Sequence, residues 1–414
     1  MDATTLSALV EKTTDKWAKL RKKEERDYSA AMRRYEFMTR TRRVTIKEAA
    51  WACIEAAYLK AAAGNTLPAA ARQIMYAARG SIQDRTGKAL DDQYFCQTLL
   101  PDYMAEHPDE TADWDVVFDA RGNFTEPHTE KRIPLGTLQV RSYLRGLSDA
   151  SGDDVSIEIE RLYPTAGPAN RFGAILFLEK EGFGPLLEKL KLAERYDIAI
   201  MSTKGLSVTA ARHLVDELCA KYKVPLLIVR DFDKAGFSIA GTLQNDTRRY
   251  TFANAFEVVD LGLRLDDVER WSLESETVVY GKTDPSRNLR ENGATADEVA
   301  FLVEGYCQQR GGYHGRRVEL NAFTSDKLVQ WLEAKLDEHG IEKVVPDDET
   351  LAAAYRRACK VAKMQKAIDR IAKAKDTAEV PEDLAETIRE RLAKDPSEPW
   401  DLALAEIAAE REDG

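Results

Sequence analysis

Histidine and cysteine are scarce in this chain: each occurs five times in 414 residues. The cysteines (Cys53, Cys96, Cys219, Cys307, Cys359) lie far apart and form no CxxC pair. That argues against a zinc site or a disulfide framework and leaves them as small buried hydrophobes. The histidines are scattered, no HExxH occurs, and His128 and His213 read as structural. No GxGxxG follows an apolar run. Gly281-Lys282-Thr283 ends like a phosphate-binding loop, but Glu276 stands where such a loop needs its first glycine. ATP binding through a Walker motif is therefore excluded. No apolar run approaches the roughly 20 residues that span a bilayer. Met1-Asp2-Ala3-Thr4-Thr5 lacks the basic start and apolar core of a signal peptide, so a cytoplasmic location is expected.

What is present fits a soluble, rather helical protein of two or three domains, with 44% hydrophobic and 32% charged residues. The net charge of −11 is unevenly spread. Lys19, Arg21, Lys22, Lys23, Arg26, Arg33, Arg34, Arg40, Arg42 and Arg43 crowd the start, and acidic residues crowd Asp347 to Asp413. A local basic surface is compatible with nucleic acid despite the acidic total. The charge pattern alone fits a solvated helix face equally.

Three apolar runs organise the middle of the chain. Ala174-Ile175-Leu176-Phe177-Leu178 ends in Glu179-Lys180, Asp197 to Met201 ends in Ser202-Thr203-Lys204-Gly205, and Val224 to Val229 ends in Arg230-Asp231-Phe232-Asp233. Helical segments separate them, which predicts a parallel α/β sheet. Chemistry in such sheets sits at the carboxyl ends of the strands. Glu179, Asp231 and Asp233 at those ends form a carboxylate set suited to a hard cation such as Mg²⁺. The competing reading makes Asp231 and Asp233 caps of a helix from Ala235 to Arg249. Phe256 to Asp260 reads as a fourth strand, and Val318 to Ala322 leads into a helix from Ser325 to Glu338.

Before the sheet, three helices are expected between Ile46 and His107. The second is capped by Thr66 with Pro68 in its first turn, and the third begins near Asp91. Strands at Asp115–Phe118 and from Phe124 onward complete a winged-helix pattern. Thr137 to Leu144 reads as a strand or a short helix, and Ser151 opens a linker. The tail from Pro346 is helical and charged, broken at Pro381 and from Pro396 to Pro399.

Glu179-Lys180, Lys204-Gly205 and Asp231-Phe232-Asp233-Lys234-Ala235-Gly236, each after an apolar strand, resemble a Toprim domain. More narrowly they resemble the A subunit of topoisomerase VI and its relative, the meiotic double-strand-break transesterase. Arg212 falls where that family has an arginine, and Arg72-Gln73-Ile74-Met75-Tyr76 matches the family's tyrosine motif at Arg72, Ile74 and Tyr76. Gln73 stands in place of an acidic residue, Met75 of an aromatic one, and Ser207 and Lys234 of prolines.

The resemblance implies an α/β fold: a Toprim-type parallel sheet domain (166–345) preceded by a mainly helical winged-helix domain (46–165), with a helical basic arm (1–45) and a charged helical tail (346–414). It also implies a DNA-cleaving enzyme of the type IIB topoisomerase kind. Tyr76 would attack a backbone phosphorus to give a 5′-phosphotyrosyl link. Mg²⁺ would be held by Glu179, Asp231 and Asp233, and Arg72 and Lys204 would stabilise the phosphate. Arg72, Lys204 and Arg212 would contact DNA. The expected partners are double-stranded DNA, a second copy whose metal site serves Tyr76, and a separate ATPase subunit. The Wadjet defence nuclease subunit is similar in layout without a working tyrosine, so hydrolysis by metal-activated water is the alternative. A non-catalytic DNA-binding module is the third reading.

Overall fold

The computed structural model describes residues 21–23, 26, 28, 44–118, 123–126, 132–147, 172–202, 209–247, 250–309, 311–345, 347–372 and 380–412. Lys204, most of the basic arm and the linker at Ser151 lie outside them. The described residues fall into two compact units. One comprises those up to Ala57 together with Ala78–His107, the other Tyr58–Ala77 together with those from Pro108 onward.

In the first unit, Thr45 caps the helix Ile46–Trp51, and Glu48 returns a bond to the Thr45 backbone. Glu106, at the end of the helix Leu100–Glu106, accepts from Lys47 Nζ and Trp51 Nε1, both at 2.9 Å. The third helical segment starts where the sequence predicts, with the Asp91 side chain accepting from the Tyr94 N–H at 2.7 Å.

Two expectations for the region before the sheet need correction. The helix bearing Tyr76 begins at Ala71, not at Thr66, and runs to Thr86. Thr66 donates its hydroxyl to the Ala63 carbonyl, and Ala69–Ala70 forms a short strand, β1. β1 pairs in parallel with Val116–Val117, β2, so β2 does not form a hairpin with the strand at Phe124. Both valines are buried, and the small alanines opposite let the backbones pair inside the unit. The hairpin lies one step later, between Asn123–Thr125 (β3) and Arg132–Pro134 (β4). Thr137–Leu147 is a helix, tied back by Arg141 to the Asp115 carboxylate at 2.9 Å and the Trp114 carbonyl at 2.7 Å.

The sheet follows the predicted runs. Ala174–Leu178 (β5), Ile198–Ser202 (β6), Leu226–Val229 (β7) and Val258–Gly262 (β8) are all parallel, in the order β6-β5-β7-β8. β5 and β7 are buried throughout, as central parallel strands must be. The pleat divides their side chains between two cores. Leu176, Leu178, Leu227 and Val229 join a large cluster that includes Phe232, Phe237, Val318 and Trp331. Ile175, Phe177, Leu226 and Ile228 pack on the other face with Val215 and Ile239. A second sheet of Glu276–Val279 (β9), Gly305–Cys307 (β10) and Gly312–Arg317 (β11) is antiparallel, in the order β10-β11-β9. Just past β11, Val318 exchanges both backbone hydrogen bonds with Phe232, at 2.8 and 3.0 Å.

The helix Ser325–Glu338 has the predicted bounds. The tail forms helices Asp348–Ala372, Leu384–Lys394 and Trp400–Glu412, broken at the expected prolines. Cys53 and Cys219 are buried, whereas Cys96, Cys307 and Cys359 are half-exposed, so the expectation of buried cysteines holds for the first two. Among the described residues, no helix is long and apolar enough to cross a membrane.

Gly236 lies where an added Cβ would come within 2.2 Å of the Asp231 carbonyl oxygen. That oxygen belongs to the backbone and cannot swing aside. Gly236→Ala should therefore cost about 1–3 kcal/mol in urea denaturation. Gly80→Ala, in a helix with nothing within 4 Å, should instead gain up to about 1 kcal/mol.

Candidate active site

The site begins at the carboxyl ends of β5 and β7. Glu179 follows β5 directly, and its Oε2 accepts the Asp231 N–H at 2.9 Å. Asp231 is 4% exposed. Its Oδ1 accepts the Leu320 N–H at 2.8 Å, and its Oδ2 lies 2.9 Å from Lys180 Nζ. Asp233 turns the chain into the helix Lys234–Gln244 and caps it, its Oδ1 accepting from the Gly236 N–H at 2.7 Å. The capping reading is thus right for Asp233, which keeps Oδ2, and wrong for Asp231, which is locked into the protein.

The Phe232–Val318 pairing delivers a carboxylate that the sequence reading missed. Glu319 is 3% exposed and meets three cations. Its Oε2 is 2.9 Å from Lys180 Nζ, and its Oε1 is 3.0 Å from Arg72 and 3.2 Å from Arg317. Arg317 in turn binds Glu276 Oε2 through Nε and Nη2, at 3.2 and 2.9 Å. Glu276 also accepts a hydrogen bond from Tyr76, which is 5% exposed. An ionic chain therefore joins the helix of Arg72 and Tyr76 to the strand-end carboxylates. Nothing in the sequence flags Glu319, because its partners come from remote stretches of the chain.

Gln73 is buried next to Arg72. Its amide Nε2 donates to the Phe323 carbonyl at 2.9 Å, and its Oε1 accepts the Ala70 N–H at 2.9 Å. Arg230, fully buried, pairs with Asp260 at 3.1 and 2.7 Å and stacks 3.8 Å over the Phe237 ring. It fixes the start of the Asp231 turn against β8.

Arg212 is not placed to contact DNA. It is 3% exposed and donates to Thr247 Oγ1 and the Asn245 carbonyl, at 2.5 and 2.8 Å. Its guanidinium lies 5.1 Å from the rings of both Tyr250 and Phe252. These contacts hold the segment after the Lys234–Gln244 helix, and none goes to the strand-end carboxylates.

Burial, and next the neighbouring Asp231 carboxylate, push Glu179 up to about 8. Burial pushes Asp231 up to about 6, against the pull of Lys180. Burial also opposes the charge on Lys180, but Asp231 and Glu319 outweigh it and keep the ammonium protonated. Burial likewise opposes ionisation of Glu319, yet Lys180, Arg72 and Arg317 together hold its carboxyl below the usual range. The result is a site in which Glu179 resists a further negative charge unless a cation joins it.

The donor set decides what cation it can take. Among the described residues, no three carboxylate, imidazole or thiol side chains converge to hold an ion. The three-carboxylate cage expected from the sequence is therefore not formed, because Asp231 has spent both oxygens. Among the described residues none hydrogen-bonds Glu179 Oε1 or Asp233 Oδ2, and Mg²⁺ is commonly held by one or two carboxylates plus water and phosphate oxygens. The residues fit such an ion as a pair. A cleft of about 340 Å³ opens at Asp233, lined also by Lys234, Ser238, Tyr280 and Arg317. Its two basic residues suit an oxyanion.

Residues 174–328 match the family model for the Toprim domain of the topoisomerase 6 A-subunit/Spo11 family. The match covers β5 to β9, the second sheet and Glu319, and stops short of Arg72 and Tyr76. No curated protein matches the chain.

Removing one member of a buried ion cluster leaves its partners uncompensated. Glu319→Gln should therefore cost about 3–5 kcal/mol at neutral pH. Glu319 titrates lower in the folded chain than in the unfolded one, where its carboxyl has a pKa of about 4.3. Its contribution is present above that value and lost as pH falls through the folded value. Urea unfolding across pH should show the gap between wild type and variant closing below about pH 4.

Proposed function

We propose that this chain, through its Toprim domain of the topoisomerase 6 A-subunit/Spo11 kind, is a Mg²⁺-dependent DNA-cleaving subunit that uses Tyr76 as its nucleophile. The observation that carries the reading is the ionic chain from the helix of Arg72 and Tyr76, through Glu319 and Lys180, to the strand-end carboxylates. A tyrosine helix bound to an acidic strand-end site is what a phosphoryl transfer through a covalent intermediate requires.

The roles follow from the surroundings. Glu179 and Asp233 would hold the ion. When bound, it would neutralise charge developing on a phosphate oxygen. Arg72 has its guanidinium 35% exposed while anchored on Glu319, so it can reach a phosphate without losing its anchor. Lys234 and Arg317 line the cleft beside Asp233 and would orient the backbone on either side of the reacting phosphate. The Tyr76 hydroxyl would form the new bond to phosphorus as the 3′ oxygen leaves, giving a 5′-phosphotyrosyl end. Glu276 already accepts the hydrogen bond of that hydroxyl, and its carboxyl is held low, against burial, by Arg317 and Tyr76. One chain cuts one strand, so a double-strand break requires two copies. Strand passage would require a separate ATPase.

The burial of Tyr76 favours a second reading. A hydroxyl 5% exposed as a residue and bonded to Glu276 is poorly presented to a duplex. Metal-activated water would then be the nucleophile.

Supercoiled plasmid incubated with Mg²⁺ and then denatured separates the two. Under the first reading, wild type leaves protein-linked 5′ ends, and Tyr76→Phe loses both the adduct and cleavage by about 10³-fold or more. Cleavage by Tyr76→Phe at the wild-type rate, with free ends, establishes hydrolysis instead.

A further inference from the structure

Two-metal phosphoryl-transfer sites place their ions roughly 3.5–4 Å apart, and a carboxylate between them commonly touches both. In this chain the carboxylate placed for that task is Asp231. Its N–H is fixed on Glu179 Oε2, and Asp233 follows it across one residue. Yet neither of its oxygens is available. Oδ1 takes the Leu320 N–H at 2.8 Å, and Oδ2 takes Lys180 Nζ at 2.9 Å. The ammonium is itself fixed from the far side by Glu319 Oε2 at 2.9 Å, and Glu319 is held by Arg72 and Arg317.

We propose that Lys180 is the resident cation of this site. Its ammonium takes the place of a second metal ion, Asp231 is a positioning residue rather than a ligand, and one divalent ion is held from Glu179 and Asp233. The inference rests on the reading of Glu179 and Asp233 as metal ligands.

The physical case is a comparison of costs. Bringing a metal onto Asp231 means pulling a buried carboxylate off a buried ammonium. Breaking such a pair is strongly unfavourable because it strands one charge without a partner. A magnesium ion gives up its water reluctantly and is satisfied by one or two carboxylates. It gains too little from a third to displace Lys180. Glu319 cannot substitute, since three cations already use both its oxygens. The ammonium also does locally what a second ion would do. It cancels the charge of Asp231, so that Glu179 and Asp233 can share one divalent cation without two further uncompensated charges nearby.

The test counts metal ions and uses no DNA. Mn²⁺ binding to the full chain is measured by the loss of the free-ion electron paramagnetic resonance signal. Wild type should bind one ion per chain. Glu179→Gln and Asp233→Asn should each weaken that binding about tenfold or more, whereas Asp231→Asn should change it by less than about threefold. Lys180→Met releases Asp231 and should raise the stoichiometry to two. Two ions on wild type, or an Asp231→Asn loss equal to that of Asp233→Asn, overturns the proposal.

Because Lys180→Met and Asp231→Asn each strand a charge, both should melt below wild type. Mn²⁺ should restore the melting point of Lys180→Met but not that of Asp231→Asn. The double variant Lys180→Met/Asp231→Asn removes both charges. It should melt near wild type and still bind one ion. If wild type binds no Mn²⁺ but Lys180→Met does, Lys180 shields Asp231 as proposed and the metal-dependent function falls. If neither binds, both fall. If the ion counts hold and no plasmid is cut, the function alone falls.

Discussion

Asp231 and Glu319 belong to different parts of the chain, and one ammonium lies 2.9 Å from an oxygen of each. Two carboxylates this deeply buried could not share a neighbourhood without Lys180 between them. The backbone arrangement makes the pairing unavoidable. Phe232 and Val318 exchange both of their peptide hydrogen bonds, so the residues flanking them, Asp231 on one side and Glu319 with Leu320 on the other, are held together. Phe232 itself is fully buried against Phe237 and Phe301, which leaves its neighbours no freedom to separate. The strand-end site, the grip on Arg72 and the setting of Glu276 all hang on that junction.

The surrounding charges obey the same logic. Arg230 and Arg264 converge on Asp260, and Arg264 continues to Glu298 at 2.9 Å. Each buried charge thus has a counter-charge and a backbone partner. Arg230 also donates to the Asp231 and Leu263 carbonyls, at 3.1 and 3.4 Å. Isolated surface pairs contribute little. Here the pairs are buried and shared, so they act mainly to fix geometry, and the geometry they fix is that of the Asp231 turn.

The sheet is legible in the sequence because central parallel strands are apolar at every position, a signal that needs no partner to be seen. The same runs locate Glu179, Asp231 and Asp233, since a strand end is a place in the fold as well as in the chain. Glu319 is not legible. It follows β11 as one charged residue among several, and only the pairing of Val318 with Phe232 gives it meaning. The hairpin is displaced from its expected position for a related reason. Val116–Val117 alternates and ends like a wing strand, but its partner is the remote pair Ala69–Ala70, and alanines carry no strand signal. Arg212 departs from expectation because a matching position in a motif says nothing about burial. Its aromatic neighbours Tyr250 and Phe252 come from a loop that no local pattern ties to it.

Gln73 shows how far a departure from a motif bears on chemistry. At this position an acidic side chain could not serve the same bonds. The amide donates to the Phe323 carbonyl and accepts the Ala70 N–H, and an ionised carboxylate has no proton for the first. The same amide oxygen lies 3.4 Å from Ser325 Oγ, whose hydroxyl donates to the Pro68 carbonyl at 2.7 Å. The glutamine is therefore matched to a buried seam between the start of its own helix and the start of Ser325–Glu338. What it secures is the foot of the helix that carries Arg72 to Glu319. Substitution here follows packing, and it leaves the cation at the neighbouring position where the acidic site needs it.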